Sequence, residues 1–186
     1  MTQSDLTMHG SMFVFFKQFI EETFSSSLWL ELNKKANTNH STYQIHNSYP
    51  SNIFYSLLQT AANLTNHSEN ELKEEFGEYL VPKLLSLYKS YINPAWKTFE
   101  LLENTELVMH KAVRREELQA KPPILNVSKV AVNLLIIDYY SKRRMASLAV
   151  GIIKGIAKFY NEQEKVRVIL KADPDDERVQ IRIEFK

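Results

Sequence analysis

The apolar pattern of this chain changes period at Lys121-Pro122-Pro123, and that change constrains the fold more than any other feature. Before it, apolar side chains recur every three or four residues. Met12 to Phe24 sets Phe13, Phe16, Ile20 and Phe24 at helical spacing, and after Pro50 the residues Ile53, Leu57, Leu58 and Ala61 share a face. Leu28 to Lys35 predicts a short helix, and Asn37 to Ser48, with His40 and His46, a polar loop. Ser68 with Glu71 three residues on predicts a capping box that opens a helix running to about Leu80. Pro82 and Asn93-Pro94 bracket a further helical piece, and Ala95 to Gln119 reads as one long helix. Beyond the prolines, Ile124 to Val127 and Val130 to Tyr139 are rich in branched residues and predict two strands joined by a tight turn at Ser128-Lys129. Met145 to Asn161 returns to helix, with Leu148, Ile152, Ile156 and Phe159 or Tyr160 along one side. Val166, Val168 and Leu170, then Val179, Ile181, Ile183 and Phe185, alternate as strands do, on either side of Asp173-Pro174-Asp175-Asp176. The expected class is α+β: a helical N-terminal lobe followed by a four-stranded antiparallel sheet with one inserted helix.

With 186 residues, 44% of them hydrophobic, the chain can bury one substantial core or a core divided between two small lobes. Its 23 basic and 22 acidic residues nearly cancel, so no general field draws it to nucleic acid or an anionic membrane. The absence of cysteine excludes disulfides, thiolate metal sites and iron–sulfur clusters. No apolar run approaches the roughly 20 residues a membrane helix needs, and the first residues carry no secretion signal. A cytoplasmic protein is expected.

Two sets of residues carry site chemistry. At the end of the second predicted strand, Tyr139, Ser141 and Arg143 stand at alternate positions. If the strand persists that far, they project from one face, with i and i+4 about 13 Å apart. Two hydroxyls and a guanidinium suit a grip on paired carboxylates, although polar residues leaving a strand commonly only meet solvent. His110 has Leu107 one turn before it and Val113 one turn after, so its imidazole lies on or beside the apolar stripe of the long helix. A histidine there is either a satisfied core residue or a single ligand. His40, His46 and His67 sit among Asn, Ser and Thr, and solvation is expected for them and for His9, which precedes a glycine near the N-terminus. No compact zinc pattern, phosphate-binding glycine loop or nucleophile elbow accompanies them.

In order, Met8-His9-Gly10, His110, Pro122-Pro123 and Tyr139-x-Ser141-x-Arg143 resemble the haem-nitric oxide/oxygen binding family (H-NOX), which includes the gas-sensing domain of soluble guanylate cyclase. Phe76-Gly77-Glu78-Tyr79 and Gly151-Ile152-Ile153-Lys154-Gly155 add to the likeness, which covers about Met8 to Lys186 and makes Met8 the usual start after a seven-residue extension. The resemblance implies a single haem domain over 1–186, with lobes of about 8–65 and 66–186 and haem b buried between them. It implies His110 as the proximal iron ligand, Tyr139, Ser141 and Arg143 as the grip on the haem propionates, and Pro123 as the residue that distorts the porphyrin. Met12, Phe16, Leu148 and Ile152 fall at distal positions. Oxygen-binding members carry a tyrosine where this chain has Leu148, so the implied function is a non-enzymatic sensor of nitric oxide and carbon monoxide. The signal would pass to a separate partner, a sensor histidine kinase or a cyclic-dinucleotide enzyme, as one lobe turns against the other. An oxygen-binding sensor, a haem-dependent enzyme and a haem-free interaction domain are the alternatives.

Overall fold

A computed structural model of the chain describes residues 6–38, 40, 42–111, 114 and 122–186. They divide into two compact units, the first ending at Leu72 and the second beginning at Lys73. In the first unit a short strand β1 (Thr7–His9) leads into helix α1 (Gly10–Thr23), followed by α2 (Ser26–Lys35), strand β2 (Ser48–Pro50) and α3 (Ser51–Thr65). Strands β1 and β2 pair antiparallel, with Met8 opposite Tyr49. His9 caps α1 with Nδ1, which is 2.8 Å from the Ser11 hydroxyl, so this histidine is half-buried and not simply solvated. Gly10 donates its N–H to the Asn47 carbonyl at 2.7 Å. Any Cβ there would lie 1.9 Å from the Gln44 carbonyl oxygen, and this explains a glycine in the first helical turn.

The core-facing stripe of α1 contains Phe13, Phe16, Phe19 and Ile20. Phe13 stacks on Tyr43 at 4.7 Å and meets Phe54 edge-on at 5.4 Å, geometry that suits the ring quadrupoles. His40 contributes to the same cluster, 5.2 Å from the Tyr49 ring, and His67 meets Phe24 at 5.8 Å. Only His46, of the histidines expected in solvent, is exposed.

Helix α4 (Glu69–Leu87) opens with the expected box: the Ser68 N–H donates to Glu71 Oε2 at 2.8 Å and the Glu71 N–H to Ser68 Oγ at 3.2 Å. It does not stop near Leu80, however, but runs through Pro82. Proline removes the helical donor for the Glu78 carbonyl, so the helix continues past it only with support from outside. That support comes from α6 (Ala146–Phe159), which meets α4 backbone to backbone. A Cβ on Gly151 would sit 1.9 Å from the Glu74 carbonyl oxygen, and one on Gly77 would sit 2.4 Å from that of Leu148. Lys154 pairs with Glu74, and Lys158 with Glu78 at 3.7 Å, so both ion pairs clamp the crossing from its rim.

The expected long helix from Ala95 starts later and is irregular. Helix α5 (Thr98–Thr105) begins only after Trp96, where the Thr98 N–H meets Glu162 Oε2 at 3.2 Å, and it passes into a π-helical turn, Glu106–His110. The remainder, to Gln119 and Lys121, lies largely outside the described residues. Strands β3 (Ile124–Ala131), β4 (Leu134–Tyr140), β5 (Val166–Leu170) and β6 (Arg178–Phe185) form the antiparallel sheet in the order β3-β4-β6-β5. The first hairpin turns at Val132-Asn133, four residues beyond the expected Ser128-Lys129, with a register shift between Lys129 and Ala131. Leu135, Ile137 and Tyr139 of β4 pair with Ile183, Ile181 and Val179 of β6, and all six are buried. Helix α6 contributes Val150, Ile153 and Ile156 to the same core, so Leu148 and Ile152 form its half-buried flank and Phe159 is exposed. The class is therefore α+β, with six α-helices among the described residues and a four-stranded antiparallel sheet.

Candidate functional site

The second unit carries most of the predicted site. His110 closes the π-helical turn, its side chain 17% exposed, with Nδ1 2.9 Å from Glu106 Oε2. The same carboxylate accepts from Arg114 Nη1 at 2.7 Å and from the Leu125 N–H at 3.2 Å, while Arg114 Nη2 reaches the Pro123 carbonyl at 3.3 Å. Glu106 thus ties the imidazole to the first residues of β3. Burial pushes its carboxyl up, but the bonds from His110 and Arg114, the charge of His110 and the Leu125 amide outweigh that and leave it at about 2. With Nδ1 occupied, Nε2 is the ring nitrogen left for a ligand.

Leu125 stands opposite Tyr139 in the β3–β4 register. The anchor of His110 and the start of the donor set therefore meet across one strand pair. Tyr139 is 4% exposed on the core face of β4, and Ser141 is 6% exposed. Burial pushes the Tyr139 phenol up, against the opposing effects of a hydrogen bond with Ser141, the charge of Arg143 and a bond from the Met145 backbone. The phenol therefore stays neutral and able to donate. The strand does not persist to Arg143, as the alternation assumed. β4 ends at Tyr140; the Ser141 N–H still reaches the Glu177 carbonyl at 2.9 Å, and the chain then turns, with Arg144 at φ 51°. Arg143 is brought to Ser141 by this turn, its N–H 3.2 Å from Ser141 Oγ.

The distal candidates fall in different places. Leu148 and Ile152 lie half-buried on α6, near the crossing with Gly77. In the first unit Phe16 is fully buried, 5.1 Å from Phe54 and 6.1 Å from Phe19, and Met12 is half-buried on α1. Val113 lies outside the described residues, and Leu107 is 71% exposed, so His110 is not part of an apolar stripe running through Leu107. Glu106 and Arg114 escaped the sequence reading, although acid, histidine and arginine four residues apart along a helix are neighbours on one face.

The donor chemistry fits a haem: one imidazole nitrogen for iron, and two buried hydroxyls with a guanidinium for carboxylates. A family model described as Haem-NO-binding matches residues 9–168, and the chain belongs to that family. The solved structures agree on the fold. A single-residue variant of an H-NOX protein from K. algicida, in the Fe(II) unliganded form, superposes with a TM-score of 0.87 at 22% identity, covering 96% of this chain and 97% of that one. An H-NOX protein from S. oneidensis in the Fe(II)NO state gives 0.84 at 21%, covering 96% and 99%. An H-NOX domain from Shewanella oneidensis in the Fe(II)CO state gives 0.83 at 22%, also covering 96% and 99%. No curated protein matches the chain. Among the described residues, no helix is long and apolar enough to cross a membrane.

Proposed function

We propose that this chain is a single haem domain, a non-enzymatic sensor of nitric oxide and carbon monoxide that holds haem b through His110. The observation that carries the reading is the fixed imidazole: Glu106 engages Nδ1, leaving Nε2 to the metal. When bound, ferrous haem supplies the iron on which a diatomic gas is captured. Tyr139 and Ser141 donate hydroxyls and Arg143 a guanidinium to the propionates. Pro123, whose carbonyl accepts from Arg114, would press on the macrocycle. Leu148 and Ile152 give the gas side apolar groups, and Met12 and Phe16 of the first unit are likewise apolar. Leu148 has no hydrogen to donate to a polar oxygen ligand, so nitric oxide and carbon monoxide are retained and oxygen is not. These four side chains offer no acid or base for turnover. A change at His110 alters the surface that a separate partner, a sensor histidine kinase or a cyclic-dinucleotide enzyme, reads in the cytoplasm.

Absorption spectra of the ferrous protein, alone and with each gas, test the assignment on the parent chain, His110→Gly and Arg143→Ala. The parent should show a Soret band that moves with nitric oxide and carbon monoxide but not in air. His110→Gly should change the unliganded spectrum, and Arg143→Ala should lower haem retention. An unchanged His110→Gly spectrum removes His110 as the ligand.

A further inference from the structure

We infer that Glu106 is a positioning residue for His110: its carboxylate decides which ring nitrogen is presented to a metal and how strongly that nitrogen donates. The inference deepens the sensor reading and rests on His110 being the iron ligand. Its geometry is independent of any metal. Glu106 Oε2 lies 2.9 Å from His110 Nδ1, and both side chains are mostly buried, 22% and 17% exposed. The carboxylate is itself held at both oxygens, by Arg114 Nη1 at 2.7 Å on Oε1 and by the Leu125 N–H at 3.2 Å on Oε2. It therefore cannot swing away without breaking contacts to the helix and to the first pairs of β3.

An imidazole that gives Nε2 to a metal keeps its proton on Nδ1, and here that proton is donated to Glu106. A carboxylate acceptor draws the proton toward itself, enriches the ring in electron density and makes Nε2 a stronger donor. Arg114 works in the opposite direction. Its guanidinium shares the same carboxylate and weakens it as an acceptor. With haem bound, the pair would set the strength of the iron–imidazole bond, and with it how readily His110 would be released when nitric oxide binds.

The test uses the purified full chain and two readouts. Resonance Raman spectra of the ferrous, gas-free protein should show an iron–histidine stretch that moves to lower frequency in Glu106→Ala, lies between the two in Glu106→Gln, and moves to higher frequency in Arg114→Ala. Transfer of haem to apomyoglobin should quicken about tenfold or more in Glu106→Ala. An unshifted stretch in Glu106→Ala, or shifts of the same sign in Glu106→Ala and Arg114→Ala, overturns the inference while leaving the sensor reading intact. The second readout needs no haem: nitrogen-15 spectra of the apoprotein should show His110 mainly as the Nδ1–H tautomer, redistributed toward Nε2–H in Glu106→Gln. An unchanged tautomer there also overturns the inference. A parent chain that binds no haem removes the sensor reading, and the tautomer measurement still judges what Glu106 does to the ring.

Discussion

Replacing Gly151 by alanine tests the crossing of α4 and α6 with an outcome whose sign is decisive. On helix propensity alone, alanine in a helix interior stabilises by about 1 kcal/mol over glycine. In this structure the added Cβ would stand 1.9 Å from the Glu74 carbonyl oxygen and 2.7 Å from its carbon, both backbone atoms. Ordinary contact begins near 3.4 Å, so the two helices must part by about 1.5 Å. Opening a packed crossing costs about 1–3 kcal/mol, and here it also stretches the Lys154–Glu74 pair. The low end of that range would merely offset the propensity gain. A displacement this large, against atoms no rotamer change can move, places Gly151→Ala at the high end, with a net loss of about 1–2 kcal/mol. For a chain of this size that lowers Tm by about 2–8 °C. Thermal unfolding followed by circular dichroism, with urea titration as a second measure, reads it directly. Gly155→Ala is the milder comparison: its added Cβ would meet the Val81 Cγ2 methyl at 2.7 Å and the Glu78 Cα and carbonyl oxygen at 2.9 and 3.0 Å, a shortfall of about 0.7 Å at most, so its loss should be smaller. A Gly151→Ala protein as stable as the parent or more so would refute the close approach.

Ser68→Ala removes one half of the capping box on α4 and should cost about 1 kcal/mol in urea unfolding. Glu71 is held below its ordinary value by hydrogen bonds from the Ser68 backbone and hydroxyl. Its contribution is therefore full above the unfolded-state pKa and is lost as pH falls through the folded value; Glu71→Gln should flatten the acid side of a stability-against-pH curve, and an unaltered slope would contradict the box. Asp175→Asn weakens the 2.8 Å ion pair with the buried Lys73 and, because Asp175 is half exposed, should cost only about 1 kcal/mol by chemical denaturation, decreasing in high salt. Leu148→Tyr supplies a hydroxyl on the proposed gas side and should make the ferrous protein retain oxygen in air, measured by its absorption spectrum.

The parts of the fold legible in the sequence were those specified by local periodicity. Val179, Ile181 and Ile183 alternate with polar neighbours, and the structure buries all three against Leu135, Ile137 and Tyr139. What the sequence concealed depends on partners distant in the chain. Pro82 signals a break, but the contacts of α6 with Glu74 and Glu78 carry α4 past it. Ser128-Lys129 has turn composition, yet both residues pair with β4, and the apolar Val132 lies in the true turn, 87% exposed. On α6 the buried side is Val150, Ile153, Ile156 and Ala157; of the apolar residues chosen from the sequence only Ile156 lies there, while Leu148 and Ile152 flank it and Phe159 is exposed, because two glycines on that helix turn it toward α4. In the candidate site, Tyr139 and Ser141 lie together as their spacing predicts, but Arg143 meets Ser141 by a turn and not by strand alternation. Glu106 was visible as a spacing only; its bond to Leu125 requires β3 to be in place.

The π-helical turn that ends at His110 also bears on how this site can vary through descent. Such a turn behaves as an α-helix carrying one surplus residue, and such bulges concentrate at functional positions. Everything after the surplus residue is rotated relative to the helix before it, so the azimuth of His110 is set by a count of residues as much as by their identity. A one-codon deletion between Glu106 and Met109 would restore ordinary helical phase and swing a neighbouring residue into the position His110 holds, with every ligand still encoded. Lineages of this fold should therefore tolerate substitutions in the turn far better than changes in its length.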